Sequence, residues 1–507
     1  MHKKKTKTKT NKKIPLIFLL VQLVADALIP LTMLMSDMFP TFYIVIALIV
    51  EAMVLIISIV LDFADTEDQK RGVITVRRIF SGIISIAMLA GAIFAFLVVN
   101  EVGDTITNIT SKKTVTSVIG VYVRASDPAQ TIQDAADYNF GYATNYDVAN
   151  TQDAIIDINK TLAHQITTTS YEDSVVMVQH LLDSKIDVII LNESYAGIIS
   201  DQEEYQDFSD KTKLIYEYEV VTKVHKDDKK SDGDLRSFVV YLSGSDTRNK
   251  TLDVSRSDVN ILMAVNTKTK EIVLINTPRD YYVPISISSS GKRDKLTHCG
   301  IYGIDCSMET LGNLYGQQVD YYAQINFTGL ATLIDAVGGV TVNSDYAFSN
   351  THDNPLLDGS SLTVSVGENH LNGAQALAFA RERMSVPGGD NARGVNQMKV
   401  ITALVDKLSV GTILGNYSDI LKSLQGMFAT DMAQDDINEL VKMQLKDMAS
   451  WSIHSYAVTG SDGSNTTYSM PGTNAYVMYP NQDTVDRASK LIQKVLDGDS
   501  ISDSDVQ

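Results

Sequence analysis

Residues 255–285 read SRSDVNILMAVNTKTKEIVLINTPRDYYVPI. Two apolar, β-branched runs flank the turn NTKTK, and a polar loop follows. That pattern predicts a pair of neighbouring strands whose ends carry charge. Upstream, RSFVVYLSGSDT (236–247) reads as a further strand ending in a turn. Downstream, ATLIDAVGGV, NGAQALAFARERM and the run from Val395 to about Leu408 read as helices. Strands mixed with helices give an α/β class. The segment 411–497 reads as helices, a strand at TNAYVMY and a last helix near Val485–Leu496, packed as an extension on this domain. Residues 498–507 read as a disordered acidic tail.

Before this region, VTSVIGVYVRA reads as a buried strand, and SYEDSVVMVQHLLDSKIDVIILNES as helix, turn and strand. The alternation predicts an α/β accessory unit over 113–225, joined by the charged stretch 225–234. Residues 100–112 read as a short polar stalk.

The N-terminal part differs. Ile14–Met35, Phe42–Leu61 and Ile79–Val99 are apolar runs of about 20 residues, the length a helix needs to cross a bilayer. Seven lysines lie within residues 1–13, and Lys70, Arg71, Arg77 and Arg78 lie in the loop 62–78. The 36–41 hairpin holds Asp37 and no base. The positive-inside rule then puts the N-terminus and the 62–78 loop in the cytoplasm, and everything after Val99 outside. Asp26 and Glu51 stand near the middle of their spans, where a carboxylate is costly. Each is therefore a functional candidate, with protonation or packing between helices as the plainer reading.

The 507 residues carry 43 bases and 61 acids, net -18. Residues 1–78 are net +4, so the external part is net -22. Two cysteines exclude a disulfide scaffold, and 44% hydrophobic residues exclude a wholly disordered chain. The acidic exterior speaks against nucleic acid as a partner.

In so acidic an exterior, arginines at recurrent spacing need a reason. Arg256 and Asp258 are two apart, as are Arg381 and Arg383. In extended chain each pair would share one face. Arg279 follows a strand, and Arg393 lies in GGDNARGVNQ. Guanidinium forks match phosphate oxygens. Together these arginines are candidates to line a pocket for a multiply charged anion. Asp246 and Asp258 add hard oxygens suited to Mg²⁺. Local ion pairing of Arg256 with Asp258 and Arg279 with Asp280, and a solvated ARER edge, is the structural alternative. His298 and His352 stand in no Ser-His-Asp order and read as structural or surface residues. Cys299 and Cys306 on an oxidising face are candidates for a disulfide or free thiols.

The ordered set GSDT, SRSDVNILMAVN, PRDYYVPI, KLTHCGIYGIDC, INFTGLATLIDAVGGV, ALAFARER and GGDNARGVNQMKVI resembles the LytR-CpsA-Psr (LCP) family, in particular its streptococcal capsule-locus branch. The resemblance covers 236–410, and the three-span anchor and accessory unit fit it. It implies an α-β-α sandwich with an apolar cleft for a polyprenyl tail. The implied activity is transfer of a glycan, such as capsular polysaccharide or teichoic acid, from a polyprenyl-pyrophosphate carrier to peptidoglycan. The implied pyrophosphate ligands are Arg256, Arg279, Arg381 and Arg383, with Arg393 and Gln397 beyond them. Asp246 and Asp258 are the implied Mg²⁺ (or Mn²⁺) ligands, either one the candidate base, and Asp390 is a further family acid. Arginines and the ion would stabilise charge growing on the leaving pyrophosphate. Capsule-assembly proteins are expected neighbours in the membrane. A polyprenyl-pyrophosphate pyrophosphatase would use the same residues with water as acceptor. A membrane regulator (transcriptional attenuator) of capsule synthesis is the third reading, although only a short basic tail and one loop are cytoplasmic.

Overall fold

The structure is a computed structural model that describes residues 13–63, 71–110, 114–144, 146–200, 202–223, 235–245, 252, 254–350, 362–409 and 424–506. Asp246, His352, residues 1–12 and the charged stretch 225–234 lie outside them. The chain divides into two compact units. One comprises residues 1–107 with 434–449, the other 108–433 with 450–507.

The first unit holds α1 (Lys13–Ser36), α2 (Thr41–Phe63) and most of α3 (Arg71–Thr110), each long and apolar enough to cross a membrane. The segment expected as a stalk is the last turns of α3 as far as Thr110. The apolar side chains of these helices are largely exposed and the polar ones turn inward, the inverse of a water-soluble bundle. Gln22, Glu51, Ser58, Asp62, Ser81 and Ser85 are all buried. Ser81 Oγ donates to Asp62 Oδ2 at 2.8 Å, and Ser85 Oγ to Gln22 Oε1 at 3.4 Å. The carboxylate oxygens of Asp26 and Glu51 are buried as well.

The Gln434–Asp447 helix completes this unit from a distant part of the chain. Lys442 Nζ meets Asp37 Oδ1 at 2.8 Å, and Asn438 Nδ2 donates to Ser36 O at 3.5 Å. Tyr43 OH donates to Leu445 O at 3.1 Å, and Thr107 Oγ1 to Gln434 Oε1 at 2.9 Å. The α1–α2 hairpin and the end of α3 therefore touch one and the same helix.

The second unit contains two main sheets. The first comprises β1 (Thr114–Arg124), β2 (Asn139–Ala143), β3 (Thr167–Tyr171), β4 (Val188–Asn192) and β5 (Thr212–Lys223) in the order β3-β2-β4-β1-β5. α4 (Val148–Leu162), α5 (Ser174–Leu182) and α6 (Glu193–Ser200) pack on it. Asp173 caps α5 by accepting from Val175 N and Val176 N.

The second sheet is mixed and six-stranded. β6 (Ser237–Ser245), β7 (Ser257–Asn266) and β8 (Glu271–Asn276) form an antiparallel centre. β9 (Tyr321–Asn326) runs parallel to β6, with β10 (Phe428–Thr430) at its outer edge. β11 (Ser452–Ala457) runs parallel to β8 at the other edge. Both edge strands thus come from the segment expected as an extension. That segment finishes the central sheet as well as covering it.

Strand alternation sorts the apolar residues to the two faces. Val239, Tyr241, Leu262, Ala264, Val273 and Ile275 pack with α7 (Ile304–Tyr315) and α11 (Gln482–Asp497). α11 presents Val485, Ala488, Leu491, Ile492 and Val495 at helical spacing. On the other face lie α8 (Phe327–Ala336), α9 (Gly373–Arg381) and α10 (Gly389–Ser409). The arrangement is helix, sheet, helix. The hairpin of β12 (Gly460–Thr466) and β13 (Asn474–Pro480) flanks it.

Residues 498–506, expected to be disordered, are ordered instead. Asp505 accepts from Lys494 Nζ at 2.9 Å and from Ser502 N at 2.9 Å, and Arg487 Nε donates to Asp505 O at 2.9 Å. The acids here serve as local acceptors, a use that composition alone does not reveal.

Candidate functional site

The two strand ends singled out by sequence do meet. Arg279 Nη1 donates to Asp258 Oδ1 at 2.6 Å, and Arg279 Nε lies 3.8 Å from Asp280 Oδ2. Lys295, 4% exposed, joins them with Nζ at 3.1 Å from Asp280 Oδ1. A buried ammonium needs such a partner. Thr297 Oγ1 reaches Asp258 Oδ1 at 3.5 Å. Both the ion pair expected within PRD and a longer-range one are present.

α10 brings the next set. Gly388 and Gly389 have φ of +96° and +55°, values that L side chains seldom adopt. Their turn starts the helix, which carries Asp390, Arg393 and Gln397 on one face at three- and four-residue steps. Arg393 Nη2 meets Asp390 Oδ1 at 2.5 Å. Burial pushes the Asp390 carboxyl up from its ordinary value. Arg393 and Arg279 oppose that rise, while Asp280 and Asp258 add to it. Asp390 thus feels the groups held by the strand ends, and Asp258, Arg279, Asp280, Asp390 and Arg393 form one cluster.

Gly394 permits that approach. A Cβ there would stand 2.1 Å from Asn276 Nδ2 at the end of β8. Gly394→Ala is therefore expected to push α10 off the sheet. A lower melting temperature and roughly a tenfold loss of activity would show it, and unchanged values of both would refute it.

Beside the cluster lies an apolar cavity of about 220 Å³ between the sheet and α8–α10. Leu242, Met263, Ala323, Ile325, Leu377 and Leu404 are among its walls, and Arg381 and Gln397 supply polar groups. Gln397 is one helical turn beyond Arg393, so the cavity and the charged cluster adjoin.

Arg381 and Arg383 do not share an extended strand, as their spacing suggested. Arg381 ends α9, with its guanidinium 4.6 Å from the centroid of the Phe327 ring. Glu382 is 3% exposed, and its Oε1 accepts from Met384 N and Ser385 N at 2.8 Å each. This buried carboxylate turns the chain, and Arg383 emerges exposed. The ARER spacing concealed a helix end.

Arg256 points to the accessory sheet's helix. Its Nη1 donates to Gly197 O at 3.0 Å. Gly197 lies in the last turn of α6, where carbonyls lack helical donors and a cation is favoured. Ser194 Oγ of the same helix donates to Val254 O, and Val254 N donates to Thr116 O at 3.4 Å. The accessory sheet thus holds the segment that carries Arg256. A Cβ at 197 would stand 3.2 Å from Arg256 Nε. Gly197→Val is therefore expected to displace the guanidinium and lower the melting temperature by about a few degrees, and an unchanged melting temperature would refute it.

Two other groups are structural. His298 Nδ1 lies 2.7 Å from Asp294 Oδ1 and 2.9 Å from Ser469 Oγ, and all three residues are buried. Both partners use one ring nitrogen, whereas a nucleophilic serine needs the base on the opposite nitrogen. Cys299 and Cys306 are free, buried thiols. The hydrogen bond they share, together with burial, pushes the Cys299 thiol up. Sequence reasoning passed over Lys295, whose run KRDKLTH looks like ordinary surface charge. It also passed over Asn276, a polar residue at the end of an apolar strand.

Residues 202–493 match the LytR_cpsA_psr family. A polyisoprenyl-teichoic acid–peptidoglycan teichoic acid transferase TagU from Enterococcus faecalis is 35% identical over 205 residues, 40% of this chain and 64% of that protein. The protein of the same name from Bacillus mycoides is 33% identical over 205 residues, 40% of this chain and 63% of its own. The matched region thus spans just under two thirds of these relatives. Among solved structures, Bacillus subtilis TagV is 25% identical with a TM-score of 0.43, covering 52% of this chain and 98% of its own.

Proposed function

We propose, starting from a chain that belongs to the LytR-CpsA-Psr family, that it is a membrane-anchored transferase. It moves a glycopolymer, capsular polysaccharide or a related glycan, from a polyprenyl-pyrophosphate carrier to a hydroxyl of peptidoglycan. The observation that carries this reading is the junction of an arginine cluster with an apolar cavity. An anion site alone fits many ligands. An anion site opening on an apolar cavity fits an amphiphile with a charged head. The relatives' names, which pair a polyisoprenyl-linked polymer with peptidoglycan, point the same way.

Breaking the bond between glycan and lipid phosphates sends an electron pair onto a phosphate oxygen. Arg279 and Arg393 are already held by Asp258 and Asp390, so they stabilise that charge without reorganising. Arg381 and Gln397, at the cavity, hold the phosphate nearest the tail. Asp258 or Asp246 takes the proton of the acceptor hydroxyl. Mg²⁺ (or Mn²⁺) would supply further charge neutralisation at the phosphates, with Asp258 and Asp246 as its carboxylate ligands. The donor chemistry suits it, since the cluster offers hard carboxylate oxygens. Among the described residues no group of three His, Cys, Asp or Glu could hold an ion by itself, so phosphate oxygens would complete the shell.

The basic residues at 1–13 and 62–78 support an orientation with the N-terminus in the cytoplasm and the sheets outside. The contacts of the α1–α2 hairpin and of α3 with the Gln434–Asp447 helix support that order. Purified full-length protein, given a polyprenyl-pyrophosphate glycan and peptidoglycan, should yield a covalent glycan–peptidoglycan product. Release of free glycan with no such product would favour the pyrophosphatase instead.

A further inference from the structure

We propose that the Tyr476 ring on β13 is a stacking platform for the sugar that adjoins the carrier's phosphates, with Asp462 and Asp280 as acceptors for its hydroxyls. This rests on the function proposed above and adds a saccharide subsite to it.

Tyr476 is 47% exposed, yet its orientation is fixed. Its hydroxyl donates to Asp462 Oδ1 across the hairpin at 2.6 Å. Lys295 Nζ lies 5.9 Å from the ring centroid. The same ammonium is 3.1 Å from Asp280, and Asp280 is 3.8 Å from Arg279. A short chain of contacts therefore joins the ring to the central arginine. Partial burial, the Asp462 carboxylate and the Asp280 and Asp390 charges all push the Tyr476 hydroxyl up, so it stays a donor.

The hairpin is fastened to the site. Met478 N donates to Asp280 O at 2.8 Å, and Tyr281 bridges Met478 in parallel. Ala475 and Val477, the residues on either side of Tyr476 in the strand, are buried. The ring cannot retreat without breaking this strand's register. A rigid ring at an exposed position of a charged site gives contact area at little entropic cost.

The chemistry of a pyranose matches the arrangement. A sugar with equatorial hydroxyls has a face of C–H bonds with partial positive charge, which packs on the negative face of an aromatic ring. Its hydroxyls point outward, toward carboxylates such as Asp462 and Asp280. The lipid tail occupies the apolar cavity and the arginines hold the phosphates, so the first sugar lies on the side of the cluster away from the cavity. Asp280 and Lys295 lead from the arginine to the ring.

The test uses full-length protein in nanodiscs, titrated with a polyprenyl pyrophosphate carrying one hexose and with the sugar-free lipid. Tyr476→Ala should weaken binding of the glycosylated lipid roughly tenfold and leave the sugar-free lipid within about twofold. Tyr476→Phe should stay within about threefold for both lipids, since the ring face remains. Equal losses on both lipids, no loss on either, or a Phe variant as impaired as Ala would overturn the proposal. Arg279→Ala is run alongside. If it leaves both lipids unaffected, the phosphate reading fails, while a sugar-selective effect of Tyr476→Ala would still support the subsite.

Discussion

Arg279→Ala is expected to lower transfer by about 100- to 1,000-fold, the usual cost of removing one preorganised donor from a site of developing negative charge. Arg279 holds two acids, Asp258 at 2.6 Å and Asp280 at 3.8 Å. Its removal leaves Asp258, 15% exposed in its side chain, without that cation. The pocket would change from balanced to acidic, and an anionic lipid would meet repulsion where attraction stood. Arg279→Lys should recover little, since an ammonium cannot form the planar fork that reaches both carboxylates. Polymer attached to purified wall, compared at matched protein levels, is the measure. Wall-linked polymer at the unsubstituted level in the alanine variant would remove Arg279 from the mechanism.

Ala323→Trp is the second large effect. Ala323 lines the apolar cavity opposite α8–α10, and the free volume there is about 220 Å³. An indole would occupy most of it. Long-chain carriers should then bind at least tenfold more weakly, while a carrier with a truncated chain, which never fills the cavity, should be nearly unaffected. Overpacking costs about 1–3 kcal/mol of stability, so the melting temperature is measured in parallel. A loss that is the same for short and long chains would mean that the tail lies elsewhere.

Much of this architecture was legible in the sequence because it depends on local pattern. The NTKTK turn between apolar runs gave β7 and β8, the terminal helix gave α11, and the apolar runs gave α1–α3. Other parts were not, for physical reasons. β11 (SIHSYA) is a polar edge strand, and its pairing with β8 is decided by a sequence-distant partner rather than by its own periodicity. The Arg381–Arg383 spacing fits both an extended chain and a helix end. Only the buried Glu382 carboxylate, which accepts from two backbone N–H groups, decides between them. Arg279 pairs with Asp258 and Arg393 with Asp390, contacts that lie between or within motifs quoted from the sequence. Arg256 stood out in the sequence by its spacing from Asp258, but its tie to Gly197 spans 59 positions, and no local signal marks it. Lys295 and Tyr476 were unreadable for a like reason, because each matters through neighbours remote in sequence.

The Gln434–Asp447 helix gives the anchor an order of assembly. The ribosome finishes α1, α2 and α3 early, and they enter the bilayer while the rest of the chain is still being made. Their fourth partner is synthesised only some 320 residues later. Closing so long a loop costs only slightly more entropy than closing a short one, because the cost grows with the logarithm of length. What it does cost is time. The unit of the three apolar helices is unfinished until most of the other unit has been made, so a nascent chain arrested before residue 434 would hold those helices without the one that touches their hairpin.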